Sequence, residues 1–231
     1  MLKNKLMLLN PFRVMSSDSE DIIPEGGVGA VAAYAGVGKT ALLVQLALYA
    51  MLSGKKALHI SLQDPVNKVN LWYRELFHNI TKQSEVAEDN EIWEEILPNR
   101  FIMSFKVEGF NVPKLKERLT DLTAQNIFTP QIVIIDGLNF DEDVRETITA
   151  MRDMAGELAL RLWFTVHVHR HEEATGDGMP ARLASVADLF DVILKLQSEE
   201  EGSCIKPVKV KAKTFPPLFL DPANMLIKQR Y

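Results

Sequence analysis

Ala33-Tyr34-Ala35-Gly36-Val37-Gly38-Lys39-Thr40 is the stretch from which the fold is read. The apolar run Val28-Gly29-Ala30-Val31-Ala32 leads into it. The segment that leaves it, Thr40 to Ser53, is apolar on nearly every side, the pattern of a buried helix. Strand, glycine turn, lysine, hydroxyl residue and helix in that order make a phosphate cradle. Small residues let backbone N–H groups converge on phosphate oxygens, and the helix presents the positive end of its dipole. Alanine stands at the first position of the Gly-x4-Gly-Lys-Ser/Thr pattern, as Ala33, while Gly36, Gly38, Lys39 and Thr40 retain the parts that carry the chemistry. The nucleotide contacts are accordingly expected from Ala35, Gly36, Val37, Gly38, Lys39, Thr40 and Ala41, with Lys39 on the β- and γ-phosphates of ATP and Thr40 on Mg²⁺.

Outward from this turn, apolar runs and amphipathic segments alternate with no repeat period. Ala57 to Leu62 reads as a buried strand, and Asp64-Pro65 as an N-cap and first-turn proline opening a helix with Val69, Trp72, Leu76 and Ile80 inward. Thr81 to Glu95 is acidic and polar, a surface excursion with one short helix anchored by Trp93 and Ile96. Phe101 to Phe105 is the next strand, and a helix follows from about Asn111 with Leu115, Leu119 and Leu122 on one face. Ile132-Val133-Ile134-Ile135 is an unbroken β-branched run, the mark of a strand buried on both faces of a parallel sheet. Val144, Ile148, Met151, Ala155 and Leu158 recur at helical spacing, and Leu162 to Val168 is a further strand. Ala181 to Asp188 reads as a short helix, with closing strands at 192–196, 208–213 and 218–220. The expectation is one α/β domain over 1–231, with 1–20 as an N-terminal extension. It is doubly wound around a mainly parallel sheet, with antiparallel strands added at the C-terminal edge.

A Mg²⁺ ion held by one hydroxyl and the phosphates needs a carboxylate behind it, at the end of a neighbouring buried strand. Asp136, which ends the run from Ile132, fills that place; Asp136-Gly137 as a mere turn is the plainer alternative. Composition adds limits. Hydrophobic residues make up 47% and charged residues 25% of the 231, an ordinary globular balance. The apolar run Leu6 to Leu9 is too short for a signal-peptide core, and no segment approaches a membrane span, so the cytoplasm is the expected compartment. One cysteine, Cys204, allows no internal disulfide and no cysteine-based zinc site. A net charge of −5, with 26 basic residues scattered along the chain, disfavours nonspecific nucleic-acid binding.

With both motifs in view, residues 20 to 221 resemble the RecA superfamily of P-loop ATPases, and within it the KaiC-like and DnaB-helicase-like members. His59-Ile60-Ser61-Leu62-Gln63 resembles the second-strand motif that commonly ends Ser-Leu-Glu, whose glutamate acts as base for the attacking water; Gln63 stands in its place. Thr165-Val166-His167-Val168-His169-Arg170 resembles the strand whose terminal polar residue senses the γ-phosphate, a role that falls to His167. Ala184 to Asp191 resembles the segment leading into the late strands, and Lys211-Ala212-Lys213 the Lys-x-Arg pair that reaches a neighbouring subunit's nucleotide, with lysine replacing arginine. The resemblance implies ATP and Mg²⁺ as ligands and a homo-oligomer, ring or dimer, that works with a protein partner.

An amide orients a water but does not accept its proton, so Gln63 predicts slow hydrolysis unless Asp64 or Glu75 supplies the base. Asp64 is read first as a helix cap and second as catalytic. His167, His169 and His171 alternate, and a phosphate sensor with two surface histidines is more economical than a metal cluster. Lys206, Lys209, Lys211 and Lys213 read equally as a basic patch or as protection of an edge strand. Three functions compete: a nucleotide-dependent switch or assembly factor, a DNA-acting motor or recombination ATPase, and a small-molecule kinase. The DNA reading finds only the loop around Gly176-Asp177-Gly178 as a candidate contact, and the kinase reading lacks an arginine-rich lid.

Overall fold

The computed structural model describes residues 2–15, 21–85, 89–106, 110–140, 144–169, 178–200, 202–210 and 216–229. Among the described residues nine strands form a single sheet: β1 (Val28–Ala33), β2 (Ala57–Ser61), β3 (Arg100–Ser104), β4 (Ile132–Asp136), β5 (Arg161–His167), β6 (Val192–Glu199), β7 (Gly202–Lys209), β8 (Leu218–Leu220) and β9 (Ile227–Gln229). Their order is β3-β2-β4-β5-β1-β6-β7-β8-β9. The first six strands in that order are parallel, and β7 to β9 continue as an antiparallel meander. This is the expected α/β architecture, a mostly parallel sheet with antiparallel strands at its C-terminal edge.

Helices cover both faces. Helices α1 (Leu2–Leu8), α2 (Lys39–Leu52), α3 (Val66–Gln83) and α4 (Asp89–Ile96) pack with Val31, Ala33, Ile132, Ile134, Trp163 and Leu194 of the sheet. Helices α5 (Val112–Ala124), α6 (Arg145–Glu157) and α7 (Ala181–Ala184) share the other face with Ala30, Ala32, Val133, Ile135, Phe164 and Val166. Adjacent residues of one strand go to opposite faces, as the pleat requires. The central strands are apolar on both sides because both sides are covered. Helix α2 is buried at every residue from Ala41 to Leu52, which accounts for its lack of a polar face.

Several boundaries depart from the sequence reading. Pro65 stands at the N-cap position of α3 with no side-chain capping bond, so Asp64 is not the cap; its carboxylate instead accepts from Lys68 Nζ at 2.8 Å, one turn on. Helix α3 turns Tyr73 and Phe77 inward beside Val69, Leu76 and Ile80, while Trp72 is half-buried. The closing strand expected at 208–213 lies earlier, at Gly202–Lys209, and Lys211 and Lys213 fall outside the described residues. β7 pairs with β6 along its length but with β8 only through Ser203–Ile205, and Lys206 and Lys209 lie beyond that second pairing. The segment from Ala181 divides into α7 and a 3-10 turn at Ala187–Leu189. Within residues 2–15, Leu6, Phe12 and Met15 belong to the core. Of the acidic excursion, α4 buries Ile92, Trp93 and Ile96.

Candidate functional site

β1 ends inside the parallel part of the sheet, between β5 and β6, and the chain turns there into α2. Gly38 makes the turn at φ +109°, a left-handed conformation that favours glycine, and a Cβ there would meet Leu220 Cδ2 at 2.2 Å. It caps α2 without a side chain, so the N–H groups of the first helical turn are left to an outside acceptor. No acidic residue lies in that turn, and the helix's positive end faces the loop uncompensated. Ala35 and Gly36 are exposed, and nothing lies within 4 Å of the Cβ position of Gly36. Lys39 Nζ folds across the loop to donate to the carbonyls of Ala33 (3.1 Å) and Tyr34 (2.9 Å). Burial lowers its pKa, against the pull of the Asp136 charge.

The same pleat that buries Ile132 and Ile134 brings Asp136 to the α2 side of the sheet. There Asp136 Oδ2 accepts from Thr40 Oγ1 at 2.8 Å and Oδ1 from Thr165 Oγ1 at 2.7 Å. Thr165 in turn accepts from Gly137 N at 3.0 Å, closing a small network at the ends of β4 and β5. His59 Nε2, fully buried on β2, stands 3.7 Å from Asp136 Oδ2. Burial pushes the Asp136 pKa up, but the His59 imidazole and the Thr165 and Thr40 hydroxyls outweigh it and hold the carboxyl below its ordinary range. A hydroxyl and an ionised carboxylate in contact, with Thr40 next in the chain to Lys39, are the oxygen donors that Mg²⁺ takes when phosphates supply the rest. The residues therefore fit a magnesium nucleotide: Thr40 and Asp136 would hold the ion, and the ion would neutralise charge on the β- and γ-phosphates.

Gln63 follows β2 and is exposed, its amide reaching the Gly137 carbonyl at 3.5 Å. Asp64 lies beside it but is paired with Lys68, and Glu75 is exposed on α3. His167 ends β5 in register with Ala33, and its ring stands edge-on to His169 at 4.7 Å between centroids. His171 lies outside the described residues, among which no three His, Cys, Asp or Glu side chains group to hold a metal ion. No described helix is long and apolar enough to cross a membrane, and Cys204 is buried and in no disulfide.

Sequence reasoning gave no role to Thr165, His59, or the late strands that support the loop. Ser203 Oγ of β7 donates to the Val37 carbonyl at 3.2 Å, and Leu220 of β8 packs under Gly38. Gln45 of α2 donates to Met225 O (2.7 Å) and accepts from Ile227 N (3.0 Å). A buried polar residue inside an apolar helix or strand must find a partner, and that was the signal available for Gln45, His59 and Thr165.

No curated protein matches the chain. A family model, AAA_25, described as an AAA domain, matches residues 10–173 and so takes in the phosphate loop, Gln63, Asp136 and Thr165. The match spans more than half of the chain and takes in the parallel strands β1 to β5 and the glycine turn, and the protein belongs to this AAA domain family of P-loop ATPases, relatives of the RecA-like ATPases.

Proposed function

We propose that this nucleotide-binding ATPase is a KaiC-like, magnesium-dependent switch or assembly factor that responds to the presence of ATP more than to its rapid turnover. The observation that carries this reading is the end of β2, where an amide, Gln63, stands in the place of the expected glutamate and reaches the Gly137 carbonyl, next in the chain to Asp136. A side chain that donates and accepts hydrogen bonds without accepting a proton orients water but gives little general-base assistance, a contribution of about 10²- to 10⁴-fold. The nearest alternative base, Asp64, is committed to Lys68. In this reading Lys39 and the backbone from Ala35 to Ala41 bind the phosphates, Thr40 and Asp136 take Mg²⁺, and His167 reports on the γ-phosphate from the end of β5. Lys211 and Lys213 are proposed to complete a neighbouring subunit's site in a ring or dimer.

The alternative, a DNA-acting ATPase, draws on the same resemblance. The experiment that separates them measures ATP turnover over a range of protein concentrations, with and without single-stranded DNA, alongside the mass of the particle in ATP and in ADP. A nucleotide-dependent change of assembly with slow turnover that DNA leaves unchanged supports the switch. DNA-stimulated turnover overturns it in favour of the motor.

A further inference from the structure

β2 is apolar through Ala57, Leu58 and Ile60, and His59 interrupts it at zero exposure. The pleat sends His59 to the α2/α3 face of the sheet, where its Nδ1 stands 3.3 Å from the hydroxyl of Tyr73 and the two rings meet edge-on at 5.7 Å. Its other nitrogen, Nε2, is buried without a hydrogen-bond partner, 3.7 Å from Asp136 Oδ2. An unpaired buried polar atom is costly, and one aimed at a carboxylate already held by two hydroxyls calls for an explanation. Tyr73 is itself fully buried, which pushes its pKa well above the ordinary value and keeps the hydroxyl a proton donor. A hydroxyl that donates to Nδ1 leaves the ring's N–H on Nε2, on the Asp136 side.

We infer that His59, oriented by Tyr73, is a positioning residue that fixes Asp136 Oδ2 for the ion beside Thr40 and so sets the Mg²⁺ concentration at which nucleotide binding tightens. The inference rests on the reading of Asp136 as the magnesium-side carboxylate. Thr165 and Thr40 each hold one oxygen of that carboxylate, Oδ1 and Oδ2 respectively. His59 approaches from the neighbouring strand β2 and turns Nε2 toward Oδ2 from the side at 3.7 Å, a polar contact that opposes rotation of the carboxylate. Groups that orient a metal-binding side chain in this way tune metal affinity by about 10- to 100-fold.

The test titrates Mg²⁺ against binding of a fluorescent N-methylanthraniloyl ATP in the full chain and in Asp136→Ala, His59→Leu, His59→Gln and Tyr73→Phe. Affinity in EDTA and thermal melting are measured for each. The expected result is a midpoint raised about 10-fold in His59→Leu with affinity in EDTA unchanged. His59→Gln, whose amide N–H reaches toward the place of Nε2, should restore the wild-type midpoint, and Tyr73→Phe should raise it by less than His59→Leu. A wild-type midpoint in His59→Leu beside a raised one in Asp136→Ala overturns the role of His59 and leaves Asp136 standing. No shift in Asp136→Ala overturns the reading beneath it. If His59→Leu does not fold, Tyr73→Phe decides: a raised midpoint with EDTA affinity intact supports the inference, and a wild-type midpoint, or a matching loss in EDTA, overturns it.

Discussion

The Thr40 hydroxyl donates to Asp136 Oδ2 across 2.8 Å, joining residues 96 positions apart at the ends of α2 and β4. The contact follows from the parallel sheet, which sets β4 and β1 on either side of β5 with all three strands ending at the same edge.

Because the carboxyl of Asp136 is held below its ordinary range, its stabilising effect is fully present above the unfolded value, about 3.9, and is lost as pH falls through the folded value. Asp136→Asn should therefore lose stability near neutral pH and converge on the wild type as pH falls from about 4 through the lower folded value. Urea unfolding midpoints from neutral to acid pH give the comparison; a gap that stays constant with pH contradicts the depressed pKa.

Gln63→Glu restores a carboxylate to the end of β2. Single-turnover hydrolysis should speed up by about 10²-fold or more, with ATP affinity little changed. An unchanged rate would mean that the missing base is not what limits turnover.

Gly38 and Gly36 are both left-handed, at φ +109° and +75°, but their surroundings differ. A Cβ at Gly38 overlaps Leu220 and lies 3.2 Å from Met225 Cε, whereas one at Gly36 meets nothing. Gly38→Ala should cost about 1–3 kcal/mol of backbone strain plus displacement of β8, and Gly36→Ala the strain alone. Thermal melting ranks the two variants, and equal losses would remove the contact with Leu220 from the account.

Gln45→Leu leaves the Met225 carbonyl and the Ile227 N–H without their buried partner and should destabilise by about 1–3 kcal/mol. Chemical denaturation measures it. A neutral effect would show that the last turn of the chain repacks freely on α2.

Much of this was legible in one dimension. The run Ile132–Ile135 announced a strand covered on both faces, and the glycine turn between an apolar strand and an apolar helix announced the phosphate loop. Asp136 was found from the chemistry of Mg²⁺, since a strand-end carboxylate is what such an ion needs. Residues whose meaning depends on a neighbour across the sheet were harder to see. His59 and Thr165 each look like one polar interruption of a strand until register brings them to Asp136. Asp64 misled because Asp-Pro before a helix has the composition of a cap, whereas the extended Pro65 takes the cap position and frees the carboxylate for Lys68. Of the meander, β8 was anticipated at 218–220, β7 was placed too late in the chain, and β9 was missed because its three residues carry too little alternation to read.

The central claim is that ATP binds with Mg²⁺ at the loop from Ala35 to Ala41, and calorimetric titration of ATP in the presence of Mg²⁺ into the wild type and Lys39→Ala tests it most directly. The account predicts saturable binding that weakens by about 10-fold or more in Lys39→Ala, the loss of a charge-assisted contact, with melting temperature nearly unchanged. No binding by the wild type, or equal binding by the variant, would contradict it.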